Sequence, residues 1–557
     1  MQQMIRTWMK YVIFTGVFSF ALNLVFLAVP VYMLVVYDRV LYSFSTATLV
    51  TLGIGVLISL AAMAALEYIR SRMLARAGAD LVHNMTPLVV TSMHKDAAAV
   101  TGKGYDRGLE DLEQVQDAVV HGRYFYYLDI PWVVVYLFVL YIMHPLVGMI
   151  GIAGVFMAVL FQVLLILVEK QRYTLADTGA AVNRSRVKTG AGQAQVVTAM
   201  GMAQGLAEKF FARQAQVLKI KSSAHGFHAG MGAVIRFVHR VFLTGVFTAG
   251  IFAFFNDEIT AGMMFAAVMI AVRIMVPLEQ HLSGMKAVID AKNAYKRLKH
   301  YIQPAAVREK ITLPEPAGKI QVQGLTLSVP GKAILQNISL DLAPGELLGV
   351  IGPNDAGKTV LCRLLAGIWQ ATAGEIRLDG ALISQWPEKA LGRYIGYMPQ
   401  EPDLLPGTVA ENIARFTGGD SDTVIQAARA AGVHEMILKL PGGYDTPIVQ
   451  EGRHLSAGRR QLISLARALY GTPKFLVLDE PNTFLDDAGL KMLQAVIHTL
   501  KQQNTTTVMV TDRPAILSSM DKLLVIKEGR PAMYGPANEV MAQLAGRQQP
   551  RQQTAGA

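Results

Sequence analysis

Before residue 285 the sequence carries six long apolar stretches: Tyr11 to Tyr37, Thr46 to Leu66, Leu128 to Met143, Leu146 to Val168, Phe237 to Phe255 and Ile259 to Val276. A bilayer core offers backbone N–H and C=O groups no water, so stretches of this length are expected as membrane-crossing helices. Tilt, with Pro131 and Pro145 at ends or turns, allows for their uneven lengths. Arg6 and Lys10 precede the first stretch, and no small-residue cleavage site follows a short apolar core. An uncleaved first span is therefore expected rather than a signal peptide.

The connections between spans set the orientation. Arg70, Arg72, Arg76, Lys95, Lys103, Arg107 and Arg123 lie between the second and third spans. Lys170, Arg172, Arg184, Arg186, Lys188, Lys209, Arg213, Lys219 and Lys221 lie between the fourth and fifth. The alternate connections, 38–45, 144–145 and 256–258, hold only Arg39 among Lys and Arg. Both termini and the long segments are thus expected in the cytoplasm. The net charge of +11 is accounted for by a membrane surface and its lipid, so nucleic acid is not expected as a partner. The single cysteine, Cys362, excludes a disulfide framework within the chain and a multi-cysteine metal site, and is expected to be a core thiol.

The two long segments have few prolines and repeat apolar residues three and four apart, so they are expected to extend the spanning helices. Leu109–Asp117 and Ala194–Met202 are amphipathic, suited to short helices docked on a soluble partner domain or to a solvated hairpin. Arg236, His239, Arg240 and Arg273 lie within or beside the last two spans, where an ionisable group needs a polar cavity, a partner or the membrane surface. Arg273 is open to two roles, lining a translocation path or serving as an internal pair or anchor. The pattern stays helical and basic from Met285 to Lys310, and Pro314, Pro316 and Gly318 then mark a linker. The expected domains are a six-span all-α transmembrane domain over 1–310, a linker over 311–318, an α/β P-loop ATPase domain over 319–545 and a disordered tail over 546–557.

Within the second domain Gly352-Pro353-Asn354-Asp355-Ala356-Gly357-Lys358-Thr359 fits the P-loop pattern. A buried strand, Leu347–Ile351, is expected before it, and a helix opens behind it at Val360. In such a loop backbone N–H groups and the helix N-terminus cradle phosphates, Lys358 reaches the β/γ-phosphates, and Thr359 offers a hydroxyl to Mg²⁺. Further on, Phe475–Leu478 is an apolar strand running into Asp479-Glu480. Asp479 would stand beside Mg²⁺, and Glu480 would polarise the attacking water.

With Gln400 after Tyr397-Met398-Pro399 and Leu455-Ser456-Ala457-Gly458-Arg459-Arg460-Gln461 before a helix, this half resembles the nucleotide-binding domain of an ABC transporter. The resemblance implies ATP and Mg²⁺ as ligands. It makes Gln400 the Q-loop glutamine bridging metal and water, and Ser456 and Gly458 the signature pair offered to the γ-phosphate of an opposite subunit. Asp479 is the Walker B aspartate, Glu480 the catalytic carboxylate, and Asp486 the D-loop aspartate.

The sequence also departs from the family pattern. Asp512, in Val508-Met509-Val510-Thr511-Asp512, stands where a switch histidine is usual, bringing negative charge toward the γ-phosphate and implying slow hydrolysis. Ala457 and Arg459 replace the commoner glycine and glutamine, and Leu327–Gly331 holds no aromatic to stack on adenine.

The membrane half, through Val36-Tyr37-Asp38-Arg39-Val40-Leu41, Asp129-Ile130-Pro131-Trp132, His144-Pro145-Leu146, Ala199–Met202, Arg273 and Pro277-Leu278-Glu279-Gln280, is similar to the type I secretion ATPases of the protease and haemophore exporter (PrtD-like) group. That resemblance implies a homodimer in the bacterial inner membrane with its nucleotide-binding domain in the cytoplasm. It further implies a periplasmic adaptor (membrane fusion protein), an outer-membrane channel, and a secreted protein with an uncleaved C-terminal signal. No extra peptidase-like domain precedes the first span, so the double-glycine-leader processing branch of the family is not expected. The alternatives are a degenerate half of a heterodimeric exporter for lipid or peptide, and a non-transporting ATP-gated membrane regulator.

Overall fold

The computed structural model describes residues 2–100, 102, 105–121, 129–302, 313–329, 331–449 and 452–548. Arg123, the start of the third apolar stretch, the first residues of the expected linker and the tail from 549 lie outside the described residues. The chain separates into two compact units: Met1–His94 with Tyr105–Gln303, and Lys95–Gly104 with Pro304–Ala557.

The first unit is helical. Helix α1 (Gln2–Phe26) leads into α2 (Ala28–Val35), a π-helical turn at Val36–Val40 and α3 (Leu41–Ser43). Then follow α4 (Thr46–Ala98), α5 (Gly108–Val120), α6 (Ile130–Met143), α7 (Pro145–Gly192), α8 (Ala194–Ala199), α9 (Ala203–Phe255) and α10 (Ala261–Ile302). Among the described residues, five helical segments are long and apolar enough to cross a membrane: Met9–Ser43, Thr46–Ala98, Pro145–Val168, Ala229–Phe255 and Ala261–Glu279. The third expected span is shorter, because Pro131 sits in the first turn of α6 and His144 turns extended after Met143. Its 14 residues rise about 21 Å, less than a hydrocarbon core of about 30 Å. Phe20, Leu57, Ile58, Phe138, Phe156 and Leu167 are each more than half exposed, a surface that fits lipid and not water.

The core of this unit joins α6, α7, α9 and α10 through Tyr136, Leu140, Val147, Ala158, Phe242, Val246, Ala271 and Ile274. At one end Asp38 accepts from Thr260 Oγ1 at 2.6 Å and from the Gly262 amide at 2.7 Å, capping the start of α10 from a distant turn. Deeper in, polar groups close on one another. Asp129 accepts from Ser19 Oγ and, at 3.0 Å, from Asn23 Nδ2, with Arg70 3.9 Å away. Tyr136 donates to the Asn23 carbonyl at 2.9 Å. Arg273, half-buried on α10, makes internal contacts with α1. Its guanidinium donates to Asn23 Oδ1 at 3.0 and 3.3 Å and lies 5.1 Å over the Phe26 ring.

The amphipathic segment Leu109–Asp117 differs from expectation. It lies in α5, whose Leu112 packs with Leu81 and Val89 of α4 and Leu298 of α10. Buried Asp111 takes a bidentate pair from Arg297 at 2.6 and 2.9 Å and a bond from Tyr105 at 3.0 Å. Its buried face therefore serves this helical unit, not a soluble partner domain. The Ala194–Met202 tip, by contrast, leaves Val196 and Met200 exposed.

The second unit has two main sheets. Strands β1 (Ile320–Val329), β2 (Lys332–Leu342), β4 (Ala373–Leu378) and β5 (Ala381–Leu382) form an antiparallel sheet in the order β2-β1-β4-β5. Strands β3 (Leu347–Ile351), β6 (Ile395–Met398), β9 (Phe475–Asp479), β10 (Thr506–Val510), β11 (Lys522–Lys527) and β12 (Arg530–Pro536) order as β12-β11-β3-β10-β9-β6. All are parallel except edge strand β12. A two-stranded ribbon pairs β7 (Gly407–Thr408) with β8 (Pro447–Ile448). Strands β3, β9 and β10 are almost fully buried and apolar, as expected for a parallel sheet covered on both faces.

Candidate nucleotide site

Strand register assembles the site. Val510 pairs with Val350 on one side and Asp479 on the other, so three central strands end together. Their carboxyl ends are where a parallel sheet presents its loops to a ligand.

From β3 the chain enters Gly352–Thr359. A Cβ on Gly352 would strike the Ile526 carbonyl, and Gly357 has φ +98° with Leu335 Cδ2 only 2.8 Å from where a Cβ would stand. Glycine is therefore demanded at both ends of the loop, once by close approach and once by backbone conformation. Ala356 is buried, and Asn354 and Asp355 are exposed. Lys358 begins helix α11 (Lys358–Leu365) and folds its ammonium back onto the Gly352 carbonyl at 2.8 Å and the Pro353 carbonyl at 3.0 Å. Cys362 is fully buried behind it, as expected, and burial pushes its thiol well up.

Asp479 ends β9 with no exposed surface. No hydrogen bond of acceptable geometry reaches either of its carboxylate oxygens among the described residues. Burial pushes the carboxyl above its ordinary value, the nearby Thr359 hydroxyl holds it back, and the charge of Glu480 pushes it further up. A buried carboxylate without partners is rare and calls for a cation or donor from outside the protein.

Glu480 takes φ +50°, a strained conformation for a side-chain-bearing residue. Its amide donates to Val510 O at 3.1 Å, and its carbonyl accepts from Gln461 Nε2 at 3.2 Å and Thr483 Oγ1 at 3.1 Å. Gln400, just past β6, donates to Glu480 Oε2 at 2.9 Å, and Thr483 Oγ1 lies 3.3 Å from the same oxygen.

The remaining positions sit farther out. Ser456 caps the Ala457–Leu469 helix by accepting from the Arg459 amide, and a Cβ on Gly458 would come 2.9 Å from Phe484 O. Among the described residues, no hydrogen bond or ion pair joins either of them to the Gly352–Thr359 loop. Asp486 caps the following helix, Asp487–Gln502, through the Gly489 amide at 2.8 Å. Asp512 is exposed just past β10. The structure thus brings together Lys358, Thr359, Gln400, Asp479 and Glu480, and leaves Ser456, Gly458, Asp486 and Asp512 outside that knot.

Three contributors escaped the sequence reading. Gln461 is buried and accepts from the Phe484 amide at 2.9 Å while holding the Glu480 carbonyl, so it pins the Ala457–Leu469 helix to the 480–486 turn. A glutamine on the apolar face of a helix was its one available signal. Thr483 carries no pattern of its own. Arg363 stacks on Trp369 at 4.8 Å, and its charge lowers the pKa of Asp479.

A phosphate loop at the joined ends of a parallel sheet, beside an orphaned acid and a held glutamate, in a chain with membrane-length helices, defines a membrane-embedded P-loop ATPase. Comparison with known proteins narrows this. Residues 335–483 match the family model described as ABC transporter. The type I secretion system ATP-binding protein PrsD of Rhizobium meliloti (strain 1021) is 32% identical over 545 residues, 97% of this chain and 94% of that protein. ATP-binding cassette sub-family B member 6 of Rattus norvegicus is 34% identical over 43% of this chain and 29% of its own length. A bacterial Atm1-family ABC exporter solved with ATP bound superposes with a TM-score of 0.85, covering 97% of this chain and 98% of that one at 18% identity, which speaks to fold alone. The chain belongs to the ABC transporter family, among the type I secretion system ATP-binding proteins. It is a multi-pass membrane protein whose ATPase domain drives an exporter.

Proposed function

We propose that this chain is the ATP-hydrolysing permease of a type I secretion system in a bacterial inner membrane, working as a homodimer to export an unfolded protein with a C-terminal signal. A periplasmic adaptor and an outer-membrane channel would complete the path. The observation that carries the ATPase reading is buried Asp479, without a hydrogen-bond partner among the described residues, beside Glu480, whose carboxylate Gln400 holds. The similarity to PrsD over 97% of the chain supports the assignment to a type I secretion system.

Thr359, Asp479 and Gln400 would hold Mg²⁺, and buried Asp479, whose oxygens have no hydrogen-bond partner among the described residues, fits a cation. The metal, when bound, supplies positive charge to the β- and γ-phosphate oxygens. Lys358 exchanges two backbone carbonyls for the same phosphates, and the loop amides of Gly352, Asn354, Asp355, Ala356 and Gly357 line the cradle. Glu480 takes the proton of the attacking water, positioned by the carbonyl bonds from Gln461 and Thr483. Ser456 and Gly458 of a second copy would face the γ-phosphate, with Asp486 at the seam. Their separation from the loop within one chain is what a site shared between copies requires. The exposed Val196 and Met200 tip offers apolar surface for that same second copy.

Co-expression with adaptor, channel and a cargo bearing a C-terminal signal tests the reading. Cargo should reach the medium, and Lys358→Ala should stop it; nucleotide-driven closure without cargo release would favour a non-transporting regulator. Exposed Asp512 favours a second reading, a degenerate half of a heterodimer for lipid or peptide. ATP hydrolysis by this chain as sole subunit would exclude it.

A further inference from the structure

Within the phosphate cradle itself one residue opposes the ligand. Asp355 sits at the centre of Gly352–Thr359 with φ +64°, the left-handed region where a residue bearing a side chain is disfavoured. Its side chain is exposed and makes no hydrogen bond or ion pair among the described residues, so the left-handed turn, which asparagine would serve as well, does not explain the charge. The loop is short and its amides face the phosphates, which places this carboxylate within about one Debye length of them. Lys358 and Asp355 are the only charged side chains in the loop. The lysine that should balance the phosphates is thus offset by a charge of the same sign as the ligand.

Resting on the nucleotide-site reading above, we propose that Asp355 sets the grip of this site. By electrostatic repulsion it weakens the hold on nucleoside di- and triphosphates and speeds release of the diphosphate product, without touching the reacting atoms. Aspartate and asparagine both tolerate the left-handed backbone, so Asp355→Asn removes the charge with little change of shape. Asp355→Gly removes the charge and relieves the backbone as well.

The test measures equilibrium binding of MgADP, and of MgATP in a Glu480→Gln background, to full-length protein at low and high salt. Asp355→Asn and Asp355→Gly should each tighten both nucleotides by roughly tenfold at low ionic strength, with most of the gain lost at about 1 M salt. Stopped-flow ADP release should slow in proportion. If Asp355→Asn binds like the native chain and only Asp355→Gly tightens, strain rather than charge governs the site and the proposal fails; weaker binding by both also overturns it. Lys358→Ala separates the two readings, because a native chain that binds nucleotide no better than Lys358→Ala would sink the nucleotide site itself.

Discussion

Asp129 in the helical unit and Asp479 in the sheet unit are both buried, and they are treated in opposite ways. Asp129, 7% exposed among membrane helices, is satisfied by Ser19 and Asn23, with Arg70 nearby, and Arg273 and Tyr136 close the far side of Asn23. Asp479, with no exposure in the parallel sheet, has no hydrogen-bond partner at either oxygen among the described residues. A buried polar group that the protein satisfies itself stabilises and specifies the fold, while one it leaves bare is held for something that arrives later. The first aspartate is structural and the second is the one we propose as a metal site, although the two side chains are the same.

The contrast breaks most visibly if hydrolysis does not depend on the nucleotide unit's acids. Glu480→Gln should cut steady-state ATPase activity at least a hundredfold, about 3 kcal/mol of transition-state stabilisation, with nucleotide binding retained. Native-like turnover in that variant would remove Glu480 from its role. Next in size, Asp129→Ala should strip the counter-charge from Arg70 and remove the acceptor shared by the Ser19 hydroxyl and the Asn23 amide. It should cost about 2 kcal/mol of stability in detergent while nucleotide affinity stays unchanged. An unchanged melting temperature would deny the network its structural role. A smaller effect, roughly three- to tenfold faster hydrolysis, is expected for Asp512→His, since a donor would replace a negative charge at the edge of the site.

The smallest effect concerns pH. Burial raises the folded-state pKa of Asp479 above its unfolded value, so the protonated form is favoured by folding. The corresponding stability is present below the unfolded pKa and is lost as pH rises through the folded one. Nucleotide-free protein with Asp479→Asn should therefore lose part of the decline in melting temperature that sets in as pH rises above the ordinary carboxylate range; a profile parallel to the native chain's would contradict this.

Much of the nucleotide site was legible because its chemistry is written in adjacent residues. Gly357-Lys358-Thr359 opens the helix after one buried strand, Asp479-Glu480 ends another, and a run of apolar residues announces each strand. Gln461 and Thr483 were not legible, because what they do depends on a helix meeting a turn in three dimensions. The membrane network was equally hidden, since Ser19 and Asn23 reach Asp129 across 110 and 106 positions of chain. An amphipathic stripe says that a face is covered without saying by what, and so Leu109–Asp117 pointed outward when α4 and α10 cover it. Nor does composition disclose the backbone angle that turns Asp355 from an ordinary loop acid into one held in a phosphate cradle.

The central claim, that the bare carboxylate of Asp479 exists to hold a metal with ATP, is tested most directly by ATP affinity with Mg²⁺ and with EDTA, in Glu480→Gln and in Glu480→Gln combined with Asp479→Asn. The account expects Mg²⁺ to tighten ATP binding at least tenfold in the first protein and to leave the second nearly unaffected. Equal gains from Mg²⁺ in both would show that Asp479 is not the metal's ligand, and the account would fail.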